Sequence, residues 1–430
     1  MRHASLCCCV LVASWLLAIG TAHAQLRGHG GPVRALAVSP DGQILMSGSF
    51  DTSAIRWSLA RSAAEEVLRF HDGAVNAVVL LKDGAAATGG EDARIAIWNP
   101  GERMPRMVLE GHRAPVVALA VSGDGRFLAS ASWDHTARLW PVGGGPPRLL
   151  AGHSQNVNGI AFTPDGRAVV TAGYDATLRI WPLSGDDTPL IAVLPTPLNA
   201  VAIAPDGEIV TAGADGKIYV LSATGDRRTD IAAESAPVVA IALSGDGRRV
   251  AAASVRGSIT VLDRAARRIE RTLIGPGTPV WSVAFLPDNR TLLAGGADRM
   301  IRRWDTVTGE PVDGVAAGGI DDPLAAYAGD PGAEVFRACI ACHALGPDGG
   351  NRAGPTLAGI FGRRIATLPG YNFSAALKAL DIVWTPETVS RLFEIGPAAL
   401  TPGTKMPEQR IGSAADRAAL VHFLAKAAAK

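Results

Sequence analysis

The stretch "ACIACHAL", Ala338 to Leu345, contains Cys339, Cys342 and His343 in the order C-x-x-C-H. Two thiols three positions apart, with an imidazole directly after, form the pattern of a site where haem is attached through two thioethers and held by the histidine. The same two thiols could instead close a local disulfide in an oxidising compartment. The histidine favours haem, and the surrounding sequence has to supply the rest. A haem iron also has a second axial position. The candidate downstream is Met406, in "TPGTKMP". A thioether there gives a Met/His pair, which raises the reduction potential and closes the iron to open-site chemistry. Met406 could alternatively be a core residue, but the turn formers Pro402, Gly403 and Pro407 around it argue against a helical core position.

The rest of the chain has to place that motif. The sequence is 430 residues long, 48% hydrophobic and 19% charged, with a formal net charge of +1. The length suggests more than one domain. A balance so close to neutral gives no argument for nucleic acid or an anionic membrane as partner. Met1-Arg2-His3 is a short basic start, Leu6 to Ile19 is apolar, and Ala22-His23-Ala24 has the small-residue form of a cleavage site. Residues 1–24 therefore read as a secretory signal peptide, with the mature chain beginning at Gln25 and a periplasmic location expected. An uncleaved anchor is the alternative, though the run is short for a membrane span. Of the five cysteines, Cys7, Cys8 and Cys9 leave with such a signal, so that only Cys339 and Cys342 remain.

Ahead of the motif lies a long repeat. Turn residues recur at Asp41, Asp83, Asp124, Asp165, Asp206, Asp246 and Asp288, at steps of 42, 41, 41, 41, 40 and 42. In phase with them run Trp57, Trp98, Trp140, Trp181, Leu221, Leu262 and Trp304, and also Asp51, Asp92, Asp134, Asp175, Asp215, Arg256 and Asp298. Each unit reads as short strands divided by Gly-containing turns, and a period near 41 with four strands per unit is the blade of a β-propeller. The third unit, "GHRAPVVALAVSGDGRFLASASWDHTARLW", closely resembles the WD-repeat family.

That resemblance implies a buried tetrad of His, Ser or Thr, Asp and Trp in each complete blade. Units one to four carry it, as His29, Ser47, Asp51 and Trp57 in the first and His153, Thr171, Asp175 and Trp181 in the fourth. These histidines recur once per blade and so would sit far apart on a ring, which argues for structural pairing and against a metal site. His135 and His422 fall outside the pattern and read as solvent-facing. Units five to seven lack the histidine. Only Gln25 to Arg27 precede the first Gly-His, a short outer strand for the last blade, and Thr308 to Val315 is the competing candidate.

Residues 25–312 are thus expected to form an all-β seven-bladed propeller, 313–329 a linker, and 330–430 an all-α domain. Asp330-Pro331 has the form of a helix start. The last segment resembles the class I monohaem cytochromes c, through "CIACH", "GPTLAGIFGRR", "PGYNFSAALKA", "IVW" and "TPGTKM". The resemblance implies one covalent haem c. It further implies that the Pro355 carbonyl accepts from the His343 ring and that Tyr371 and Trp384 bond a haem propionate. One departure is that Thr388 to Leu400 holds Phe393 but no Tyr to bond the Met sulfur. Basic residues outnumber acidic ones from Pro331 on, with Arg337 and Lys405 placed by the motifs near the haem edge. They suit either steering to an acidic redox protein or a plain solvated surface.

The functional expectation is a periplasmic electron carrier that works with a redox partner protein, a membrane-bound oxidase or reductase being one candidate, with the propeller as docking platform. The alternative is a redox enzyme in the propeller that passes electrons to its own haem domain; a haem peroxidase is the third reading, disfavoured by a filled sixth site. Tryptophan accounting adds a candidate surface. Of nine tryptophans, Trp133 and Trp281 have no place in the repeat, the signal or the haem site. With Phe50 and Tyr174 they are expected on one face near the channel, as a patch for an external partner or for the haem domain. The alternative is that they pack on neighbouring loops.

Overall fold

The computed structural model describes residues 25–184, 188–275, 277–312, 324–337, 339–340, 343–346, 354–369, 371, 373–404, 406 and 410–428. The expected signal peptide, Cys342, Lys405 and most of the expected linker lie outside the described residues.

Seven four-stranded antiparallel sheets follow one another. The first blade is Val33–Val38, Ile44–Ser49, Ser53–Ser58 and Ala63–Arg69. The recurring "DG" turns join first and second strands. Gly42, Gly84, Gly125, Gly166, Gly207 and Gly247 all have φ between 67° and 84°, a region that costs other residues strain, and Asn289 fills the seventh place at 56°. The Asp of the turn fixes it by accepting from the backbone two residues on, as Asp41 does from Gln43 N at 3.0 Å.

The blades cohere through apolar side chains shared by neighbours. Val33, Leu45, Ile55 and Trp57 of blade one pack with Leu293 and Ile301 of blade seven. The ring position is buried whichever residue holds it, at 1% exposure for Trp57 and 0% for Leu262. In blades one to four the tetrad forms. His29 Nδ1 meets Asp51 Oδ2 at 3.0 Å, its Nε2 meets Ser47 Oγ at 2.7 Å, and Trp57 Nε1 donates to the same hydroxyl at 2.8 Å. Blades five to seven solve the problem differently. Tyr219 donates to Asp215 at 2.6 Å, Thr260 to Glu234 at 2.8 Å, and Arg302 to Asp298 at 2.8 Å.

Blade seven closes with both candidate segments. Leu26–Arg27 pairs with Ile301 and Met300, while Pro311 bridges Trp304 further along the same strand. Val312 N donates to Arg303 O at 3.0 Å. The outer edge is a composite, half from each end of the ring.

Every innermost strand is bulged near its start. The register shifts leave Arg34, Asn76, Val117, Asn158, Asn199, Val239 and Trp281 as the extra residues. A bulge re-aims its side chain out of the ladder, and several of these reach the next inner strand. Asn158 donates to Leu198 O at 3.0 Å, Asn199 to Val238 O at 2.8 Å, and Arg34 to Trp281 O at 3.4 Å.

The C-terminal module is built from short helices: α1 (Pro331–Phe336), α2 (Ala375–Lys378), α3 (Pro386–Ile395), α4 (Pro397–Leu400) and α5 (Ala414–Ala427). It departs from an all-α unit in an isolated bridge between Arg364 and Val383 and in long turn segments. Helix α1 starts where Asp330 accepts from Gly332 N at 2.8 Å. It crosses α5 at Gly332, where any Cβ would lie 2.1 Å from Ala419 O. Phe336, Leu392, Phe393, Phe423 and Leu424 form the core beneath. No helix among the described residues is long and apolar enough to cross a membrane.

Candidate functional site

The chain after α1 continues in helical hydrogen bonding. Cys339 N donates to Phe336 O at 2.7 Å and His343 N to Cys339 O at 3.0 Å. The second bond closes over four residues and brings Cys339 and His343 close together, and both line one cavity. Cys339 is buried, and burial pushes its thiol up to about 12.

His343 Nδ1 lies 2.8 Å from Pro355 O. A carbonyl can only accept, so Nδ1 carries the proton and the lone pair sits on Nε2. Gly354 makes the approach possible, because a Cβ there would come within 2.4 Å of His343 Cε1. The 354–358 turn is held by Arg363, which donates to Ala358 O at 3.0 Å and Thr356 O at 2.9 Å. Burial draws the Arg363 guanidinium below its ordinary value, and the two carbonyls compensate the lost water.

The loop after α4 brings in Met406, half-buried, with its N–H donating to Thr404 Oγ1 at 3.1 Å. Ser374 Oγ ties this loop to the start of α2 through Gly403 O at 2.9 Å. Cys339, His343 and Met406 line one cavity of about 220 Å³. Phe336, Leu357, Ile360, Leu392, Phe393 and Leu420 supply its apolar wall. Tyr371 and Trp384 line it as well, Tyr371 stacked edge-on against Phe373 at 4.7 Å. An apolar cavity lined by a histidine with its lone pair on Nε2, a thioether and a buried thiol fits a covalently held haem.

The same cavity extends to the propeller. Phe50, Trp133 and Trp281 line it, together with Arg34, Asn76 and Glu91. Tyr174, at the position in blade four that matches Phe50 and Trp133, is half-buried and is not among the lining residues. Arg337, at the end of α1, donates to Gly277 O at 3.3 Å and pairs with Glu334 at 3.2 Å. Its side chain is 19% exposed, so it joins the two modules and is not the open rim charge expected from the sequence. Arg34, Asn76 and Glu91 carried no signal in the sequence as site residues; the bulge that Arg34 and Asn76 share with Trp281 shows only in the register of the sheets. Gly354 and Arg363 fall inside "GPTLAGIFGRR", where their steric and stapling roles are visible only in three dimensions.

Comparison with known proteins gives two families. Residues 20–58, 103–141, 144–182, 189–222 and 267–305 match the WD domain, G-beta repeat model, and residues 329–428 match the Cytochrome c model. Among individual proteins, the chain is similar to cytochrome c2 of Blastochloris viridis, at 44% identity over 84 residues, covering 20% of this chain and 65% of that protein. It is 38% identical over 100 residues to cytochrome c2 of Rhodomicrobium vannielii, covering 23% of this chain and 79% of the relative. With cytochrome c-554 of Methylosinus trichosporium it shares 41% over 104 residues, 24% of this chain and 78% of the relative.

Proposed function

This chain belongs to the cytochrome c family through residues 329–428 and carries WD repeats ahead of them, and from that premise we propose that it is a periplasmic electron carrier whose propeller presents the haem module to a redox partner protein. The observation that carries the reading is the His343 ring, fixed through Nδ1 on Pro355 O and facing a cavity that Cys339 and Met406 share.

When bound, a haem c supplies a reversible one-electron couple. The chain does the remaining work. Cys339 and Cys342 would hold the group covalently. His343, whose tautomer and orientation the Pro355 carbonyl fixes, would hold the iron through Nε2. Met406 would hold it through its sulfur, which would favour the reduced state and keep small ligands out. Phe336, Leu392, Phe393 and Leu420 make the cavity wall apolar, and Tyr371 and Trp384, which also line it, would bond a haem propionate. A periplasmic location is supported by the order of basic, apolar and small residues over 1–24. The partner is expected to be a redox protein, soluble or membrane-bound.

Absorption spectra test this reading. The wild type should cycle between oxidised and reduced forms with no change on adding carbon monoxide. Met406→Ala should take up carbon monoxide and show a lower midpoint potential. Carbon monoxide binding by the wild type, or an unchanged spectrum in the variant, would contradict it.

A further inference from the structure

One position of the propeller repeat lies directly before the repeat Asp or its substitute. It holds Phe50, Glu91, Trp133 and Tyr174 in blades one to four, then Ala214, Val255 and Ala297. In every blade its N–H donates to the carbonyl just ahead of the inner strand, as Phe50 N does to Pro32 O and Trp133 N to Pro115 O, both at 3.1 Å. The position is thereby fixed at the start of each inner strand, on one face of the ring. Its bulk is confined to blades one to four. The bulge between Val280 and Ser282 adds one more large ring at the start of an inner strand, Trp281 of blade seven.

Phe50, Glu91, Trp133 and Trp281, with Arg34 and Asn76, line the cavity shared by Cys339, His343 and Met406. These six belong to blades seven, one, two and three, whose inner strands are neighbours around the ring. The haem module therefore sits on one continuous sector of the face. Arg337 clasps the same sector through Gly277 O at 3.3 Å, just ahead of blade seven's inner strand. The polar groups there are engaged within the propeller. The Glu91 carboxylate accepts from Ala74 N at 3.1 Å, and Arg34 donates to Trp281 O at 3.4 Å. Trp133 Nε1 donates to Asn158 Oδ1 at 3.1 Å, and the Trp281 nitrogen is covered by protein atoms. The two indoles thus meet the cavity with ring carbon.

An apolar wall beside a redox centre has two physical effects. It lowers the local dielectric, which works against the oxidised iron with its extra positive charge, and it controls access from solvent. We propose that the propeller supplies one wall of the haem site, with Phe50, Trp133 and Trp281 packing their rings against the group that Cys339, His343 and Met406 hold and closing that side to water and to diffusing redox reagents. The aromatic patch is then the seat of the chain's own haem module, and an external redox protein docks elsewhere. This inference rests on the haem reading above.

The test uses the full chain with haem attached and isotope-labelled tryptophan. Oxidised low-spin iron is paramagnetic and reduced low-spin iron is not, so indole resonances near the haem move between the two states. Those of Trp133 and Trp281 should move, as should that of Trp384, and by more than those of the tryptophans buried in the blades, which lie outside the cavity. This measurement is made on wild type and needs no wall variant to fold. In addition, Trp133→Ala/Trp281→Ala should lower the midpoint potential and speed oxidation of the reduced chain by a neutral quinone severalfold, with haem content unchanged. Trp133 and Trp281 resonances as still as those of the blade cores, or a folded double variant with the potential and oxidation rate of wild type, overturn the proposal. A wild type lacking covalent haem fails the electron-carrier reading itself, so the two failures are distinguishable.

Discussion

The histidines of the two modules have the same chemistry and opposite employment. In the propeller, both ring nitrogens of His29, His71, His112 and His153 meet an Asp carboxylate and a Ser or Thr hydroxyl within the blade. In the C-terminal module, His343 has Nδ1 on a backbone carbonyl and its ring against a cavity. A histidine whose second nitrogen ends on a side chain of its own sheet is a structural strut. One whose partner is a carbonyl keeps a lone pair for a metal. The contrast also separates two ways to hold a fold. The propeller repeats one internally satisfied unit, while the haem module gathers its polar groups around a ligand.

Breaking the strut should have the largest effect on stability. Asp92 is 7% exposed and is held by His71 at 2.9 Å and Arg94 at 2.7 Å. Asp92→Ala leaves the His71 Nδ1–H buried without its carboxylate, while Arg94 keeps Asp72, and should cost about 3 kcal/mol, read as a shift in the urea midpoint. A cost below about 1 kcal/mol would show that the tetrad is dispensable.

Acid gives the next effect. Burial opposes ionisation of Asp51, Asp92 and Asp134, but hydrogen bonds from the tetrad histidines and neighbouring groups outweigh it and hold all three carboxyls well below the usual range. The unfolded chain, with Asp near about 3.9, then binds more protons than the native one, so this stability is present above about pH 4 and is lost as pH falls toward the native values. His153 acts in the same direction. Burial lowers it, so the unfolded chain protonates first below about pH 6.5. The melting temperature of the propeller should fall modestly below about pH 6.5 and steeply below about pH 4; a flat or rising profile toward acid would contradict the pairing.

The smallest effect belongs to blade six, the blade that lacks the repeat Asp. Arg256 stands where other blades have the Asp, and it is exposed. Arg256→Ala should change stability by no more than about 0.5 kcal/mol. A loss comparable to that of Asp92→Ala would mean blade six has an equivalent network.

Much of this was legible in the sequence because a repeat reports the same physical demand seven times. The spacing of Asp41 to Asp288 gives the turns, and the Trp57 series gives the buried ring. Single events were harder to read. The shared closure of blade seven needed Pro311 to return beside Trp304, which no local pattern encodes. The replacements in blades five to seven follow no common motif, since Tyr219, Thr260 and Arg302 satisfy different groups. In the haem module, motif residues stood out as types, whereas Gly354 and Arg363 matter through the close approach of backbone to ring and the capture of two carbonyls. Trp281 was visible as an odd residue in the repeat and Arg34 was not; the bulge that each occupies belongs to the register of the folded sheet.

The central claim is that the chemistry resides in a covalently held haem on the C-terminal module and not in the repeats. Covalent haem per chain, measured after denaturation in wild type and in Cys339→Ala/Cys342→Ala, tests it most directly. The wild type should retain one haem, and the variant none, with the propeller's unfolding transition preserved because the blades bury their own core. Equal haem in both proteins, or none in wild type produced with haem-attachment machinery, would contradict the account.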